Sequence, residues 1–150
     1  MDNANLTEVR KDLECMGSSL PEAFCRMAIM RLEAVGYTAW DAPGLWNLAF
    51  SIRKAEQEVL DHCHIDEVPN SLYFMLCDRS CGHFLHGLKQ SGRLEIEGID
   101  LSGILTSLSE GDVKVDFDKG ASDEARLDAL LGAMMGSGKE QLACYRKLRF

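Results

Sequence analysis

The sequence predicts a mainly α-helical fold, a multi-helix bundle with a small β ribbon, and three observations carry that expectation. Apolar residues recur at three- and four-residue spacing through most of the chain. Period-two alternation is confined to two short stretches, near 93–97 and 113–117. Breakers fall between the periodic segments, and no linker is long enough to divide residues 1–150, so a single domain is expected.

In chain order, "NLTEVRKDLE" predicts a short opening helix with Leu6, Val9 and Leu13 on one face. "SSLPEAFCRMAIMRLEAVG" predicts a second: Ser18 or Ser19 as cap, Pro21 in the first turn, and Gly36 ending it in the left-handed conformation. Phe24, Met27, Ile29, Leu32 and Val35 supply much of its apolar surface. "YTAWDAPG" then reads as a loop with Pro43 and Gly44 as breakers. From Leu45 to His62 a third helix buries Leu45, Leu48, Ile52, Ala55 and Val59, and leaves Arg53, Lys54, Glu56, Gln57 and Glu58 mostly to solvent. "IDEVP" breaks it, and a fourth helix starts near Asn70.

Beyond Gly92 the period changes. "RLEIEGI" alternates Leu94 and Ile96 with charged residues, and "VKVDFD" does the same with Val113, Val115 and Phe117. Between these strands Leu101, Ile104, Leu105 and Leu108 take helical spacing behind Asp100, giving a ribbon around a helical crossover. "SDEARLDALLGAMM", capped by Ser122, and "KEQLACYRKLRF", after the Gly136–Gly138 break, are the last helices.

Composition excludes several classes of function. With 46% hydrophobic and 27% charged residues the chain is of the soluble globular type, with neither a signal-peptide pattern nor an apolar run that spans a membrane. A formal net charge of −8 argues against general affinity for nucleic acid, which needs clustered Lys and Arg. The six cysteines, at 15, 25, 63, 77, 81 and 144, sit within apolar patterns, as in a reduced, cytosolic protein rather than a disulfide scaffold.

The stretch "CDRSCGHFLH", with "HCH" upstream, suggests a metal site, and helix geometry argues against it. At about 100° per residue from Leu72, the side chains of Phe74, Cys77, Cys81, Phe84, Leu85 and Leu88 fall between roughly 120° and 220°. His83 and His86 fall near roughly 20° and 320°, on the opposite face. The cysteines therefore read as core, and His62, His64, His83 and His86 as solvated surface, with a histidine-only metal site as the alternative. A Cys77–Cys81 disulfide is disfavoured, because Cβ atoms one helical turn apart stand beyond usual disulfide reach.

"GAMMGSGKE" fails as a phosphate loop: Ala133 stands where the first glycine belongs, Glu140 where Ser or Thr must hold magnesium, and a helix precedes it. "DFDKGASDE" fails as a calcium loop, its glycine one residue early and its twelfth position lacking Glu. No nucleophile and base are marked out, so no catalytic residue, cofactor or metal is assigned and an enzyme is not expected.

Three further pieces, "CGHFL" at 81–85, "SLSEGDVKVDFD" at 107–118 and "YRKLRF" at 145–150, stand in an order and spacing that resemble the head-tail connector proteins of long-tailed bacteriophages and prophages, of the type common in gut Firmicutes. The resemblance covers about the last two thirds of the chain, from "SIRKAEQEVL" onward, and no single motif is diagnostic. It implies a structural virion protein made in the host cytoplasm. Such a protein assembles as a homo-oligomeric ring beneath the portal, joins head to tail through stopper and tail proteins, and passes DNA only as cargo. The acidic charge is compatible with a channel wall that repels phosphate.

Two places are candidate partner interfaces. Tyr145, Arg146, Lys147, Arg149 and Phe150 form either a helix end whose cations complement its dipole or a docking tail for the portal or a neighbouring subunit. Gly111 and Asp112 form either a turn into the strand of Val113 and Val115 or a subunit contact, and that strand's edge offers a template for pairing between subunits. The alternative from another class is a small cytosolic helical regulatory or metal-binding protein that uses the histidines.

Overall fold

A computed structural model describes residues 2–94 and 123–145. The protein is mainly helical, and among the described residues there is no strand. Helix α1 spans Asn3–Cys15, where the Asp2 carboxylate accepts from the Ala4 N–H at 3.0 Å and so satisfies one orphan donor of the first turn. Leu6, Val9 and Leu13 are its buried residues, as their spacing predicts.

Helix α2 spans Glu22–Ala34, and its cap differs from the sequence expectation. Pro21 is the N-cap and makes no side-chain cap bond. Its ring already holds the entering backbone, with φ at −75°, and Glu22 places a carboxylate in the first turn. The Ser18 hydroxyl is engaged elsewhere, on Glu56. Gly36 takes φ of 101° beyond the helix end, as expected of a left-handed stop.

Helix α3, Ala42–Cys63, starts earlier than expected. Pro43 and Gly44 lie inside its first turn rather than breaking the chain, because Asp41 caps the helix by accepting from the Gly44 N–H at 2.7 Å. Proline is tolerated there, since a first-turn N–H has no intrahelical acceptor anyway. Leu45, Leu48, Ile52, Ala55 and Val59 are buried as predicted, but Glu56 is buried too, at 1% exposure. The period places Glu56 at the edge of the core stripe, and Ser18 and Arg53 supply the polar partners that make its burial possible.

His64, at φ of 55°, ends α3 in the left-handed region. A single 3-10 turn, Asn70–Leu72, leads into α4, Tyr73–Gln90. Cys77, Cys81, Phe84, Leu85 and Leu88 are buried along the predicted stripe. Phe74 is the exception at 76% exposure: at this level the buried neighbours are Leu72, Met75 and Leu76, so the first turn of α4 presents a different side to the core than the stripe from Cys77 to Leu88 does.

Helices α5, Asp123–Met135, and α6, Lys139–Tyr145, complete the described chain. The bundle is built on the α3–α4 pair, with α1 against α3 and α2, α2 also against α4, α5 along α4 and α6 against α3. One apolar cluster runs through all these helices, from Leu6 to Leu142. Each large aliphatic or aromatic side chain removed from water contributes about 1.5–3 kcal/mol, which offsets the entropy of ordering the chain. At Gly82 the helices α4 and α5 come close enough that an added Cβ would stand 2.8 Å from the Met134 Cβ and 3.0 Å from the Met135 nitrogen.

The predicted ribbon, strands near 93–97 and 113–117, lies largely outside the described residues. Its first two positions, Arg93 and Leu94, are described and follow the α4 terminus without strand structure. The crossover helix and the Ser122 cap lie outside them as well.

Candidate functional site

Of the residues proposed as partner contacts, Gly111, Asp112, Val113, Val115, Arg146, Lys147, Arg149 and Phe150 lie outside the described residues, and of Tyr145 the structure describes only its place as the last residue of α6. The four histidines are described and do not converge on one point: among the described residues no group of three or more His, Cys, Asp or Glu side chains is placed to hold a metal ion. Cys77 and Cys81 are buried thiols without a disulfide.

What the structure brings together is a groove between α3 and α4, with a volume near 790 Å³. From α3 it takes Pro43, Trp46, Asn47, Phe50, Ser51 and Lys54, which the 100° count places on one side of the helix, away from the Leu45, Leu48 and Ile52 stripe. The α4 wall includes His83, Phe84, His86, Gly87 and Gln90, and Arg93 closes the far end. Gly87 has nothing within 4 Å of where a Cβ would stand, so the wall is open at that point.

The apolar part of the groove is preorganised. Trp46 and Phe50, one turn apart, stack with ring centroids 5.4 Å apart and planes 18° apart, yet remain 48% and 50% exposed. Beneath them Phe84 is held edge-on by Tyr37, at 5.2 Å, and stacked by Trp40, at 5.8 Å. Trp40 is fixed in turn by its indole N–H, which donates to Glu33 at 3.2 Å. Rigid rings of this kind offer contact area with little side-chain entropy left to lose on binding.

The polar part has one sign. Lys54 and Arg93 line the groove, His83 and His86 add two imidazoles, and none of the lining residues is an acid. In a chain of net charge −8 this is a local reversal of the overall field. His83 is half-buried, contrary to the expected solvated position, because α3 passes over it: its Nε2 stands 3.4 Å from a Glu58 carboxylate oxygen, an ion-pair distance without hydrogen-bond geometry. Burial holds the His83 pKa below the usual histidine value, the Glu58 charge works against that, and the Lys54 and Arg79 cations add to the lowering. Burial thus favours the neutral imidazole, and its Nε2 is shielded from solvent.

The sequence carried a signal for this groove that the period analysis passed over. Trp46, Phe50 and Lys54 repeat at four-residue spacing on a face that the core of α3 does not use. Chemically the arrangement suits an inserted apolar side chain flanked by carboxylates. Compared with family models, curated proteins and solved structures, the chain matches none of them.

Proposed function

We propose that the protein is a structural adaptor of the head-tail connector type: a virion component that assembles as a ring beneath the portal and continues the DNA channel toward the tail. The observation that carries this reading is the trio of motifs at 81–85, 107–118 and 145–150, in their order and at their spacing. A mainly helical bundle supports it, as does a preorganised aromatic groove suited to docking rather than to chemistry. In this reading the ribbon near 93–97 and 113–117, the Gly111–Asp112 turn and the tail from Tyr145 to Phe150 face neighbouring subunits or the portal. DNA passes as cargo along an acidic wall.

Native mass spectrometry of the reduced protein, alone and with the portal protein of the same genetic element, tests the proposal. One adaptor per portal subunit is the expected stoichiometry. A protein that ignores the portal under conditions where the portal itself is assembled overturns the reading. A bound zinc mass resistant to chelation would favour the regulatory alternative.

A further inference from the structure

The groove has a counterpart elsewhere on the same chain. Phe74 is the most exposed large apolar side chain of the described residues, at 76%, and just before it the link from α3 carries Asp66 and Glu67, both exposed. An exposed phenyl ring with acids in the link that precedes it, Glu67 close enough for its charge to act on the neighbouring Tyr73, has the chemistry that the groove lacks, and the groove's Trp46, Phe50, Lys54 and Arg93 supply what the ring and carboxylates would meet. Position matters as much as chemistry. On α4 the groove-lining His83, His86, Gly87 and Gln90 cluster around roughly 10° by the 100° count from Leu72 and Phe84 and Leu88 fall near roughly 120° and 160°, so what separates Phe74, near roughly 200°, from the groove is chiefly distance along the helix. From Phe74 to Gly87 the helix also advances about 20 Å.

We propose that the α3–α4 groove of one copy receives Phe74 of a second copy, with Asp66 and Glu67 of that copy set against Lys54 and Arg93. Two features favour a second copy as occupant. The net charge of −8 means that another copy presents an acid-dominated surface to a groove without acids. A groove-to-groove dimer, in contrast, would set Lys54 and Arg93 of both copies against like charges. The contact is therefore heterologous, between two different patches set apart along one helix, and a heterologous contact generates a ring where the rotation closes and a filament where it does not. The inference deepens the adaptor reading by naming the subunit contact, and rests on that reading only for closure into a ring.

A mixing experiment tests it. Phe74→Ser removes the inserted side chain, and the pair Trp46→Ser with Phe50→Ser removes the receiving surface; Lys54→Glu with Arg93→Glu is a second groove variant in case the first loses its helical circular dichroism. Sedimentation velocity at low salt should show concentration-dependent self-association of the unaltered chain, weakened by added salt, and each variant alone should be monomeric. Mixed, the Phe74 variant keeps a groove and the groove variant keeps its Phe74, so the two form a one-to-one dimer that cannot grow. An unaltered chain that stays monomeric at high concentration, or two folded variants that do not pair, overturns the contact. Self-association without portal binding would leave the contact standing and overturn the adaptor reading instead.

Discussion

The Ser18 hydroxyl donates to the Glu56 carboxylate at 3.1 Å, tying the link between α1 and α2 to the middle of α3. Arg53 completes the cluster, with one guanidinium nitrogen 3.0 Å from the other Glu56 oxygen and Nε donating to the Met16 carbonyl at 3.0 Å. Glu56→Ala leaves the Ser18 hydroxyl without this acceptor and Arg53 with one fewer, and should cost about 1–3 kcal/mol in urea unfolding, whereas Glu56→Gln keeps an acceptor and should cost less. Burial raises the Glu56 pKa, so the folded state holds its proton more tightly than the unfolded state does. The contribution of this group therefore falls as pH rises from its ordinary value of 4.5 through the raised one, and Glu56→Gln should flatten the stability profile across that window.

His83 has the opposite sign. Its lowered pKa means that the unfolded chain takes up the proton first, so the stability it contributes is complete above the ordinary value of 6.5 and is lost as pH falls through it. The Glu58, Lys54 and Arg79 charges all act on the ring. Thermal melts of the unaltered chain and of His83→Gln at pH 7.5 and pH 5.5, values chosen about one unit either side of the usual histidine pKa, should show the larger drop in the unaltered chain. An equal drop in both would remove His83 as the cause.

At the α4–α5 crossing, Gly82→Ala forces a methyl group toward the Met134 side chain and the Met135 backbone. Overpacking of this kind costs about 1–3 kcal/mol. A lowered urea midpoint with an unchanged m-value is the expected result, and a neutral substitution would mean that the helices separate more easily than their packing suggests.

Arg79 is buried and donates from Nε to the Ser137 carbonyl at 2.6 Å, so it holds the Gly136–Gly138 turn against α4. Arg79→Met keeps most of the apolar stem but removes the charged donor, for an expected loss of about 1.5–3 kcal/mol. Amide exchange of α6 should rise more than that of α1, which the turn does not touch.

The cysteines give an independent check on the core. Cys15 is exposed, whereas Cys25, Cys77 and Cys81 are buried, and burial pushes the Cys25 thiol up to about 11. Under native conditions an aromatic disulfide reagent should label Cys15 rapidly and these three only on unfolding. Fast native labelling of Cys81 would contradict the packing of α4.

Helical periodicity made most of the core legible in the sequence: Leu6, Val9, Leu13, Leu45, Leu48, Ile52, Val59, Cys77, Cys81 and Leu85 are all buried where their spacing puts them. Periodicity says less where position along the axis matters as much as angle. Phe74 shares the angle of the Cys77 to Leu88 stripe, but the first turn of its helix buries Leu72, Met75 and Leu76 on the other side, and Glu56 is covered by a link that arrives from another part of the chain. Pro43 and Gly44 were misread as a break because composition does not reveal that Asp41 caps the turn containing them. The groove needed tertiary structure, since its two walls are far apart in sequence. The residues proposed from the connector resemblance lie outside those described, apart from the helical placement of Tyr145.

Lys89 near the end of α4 meets both Glu124 and Asp128 in the opening turns of α5. One cation thus answers two carboxylates across the α4–α5 seam, between segments far apart in the chain. Both carboxylates are exposed, and charges in contact with water are screened by dissolved ions. The closure of α5 onto α4 therefore has an ionic-strength-sensitive part beside its apolar one, and the seam between these two helices is where salt should loosen the bundle first.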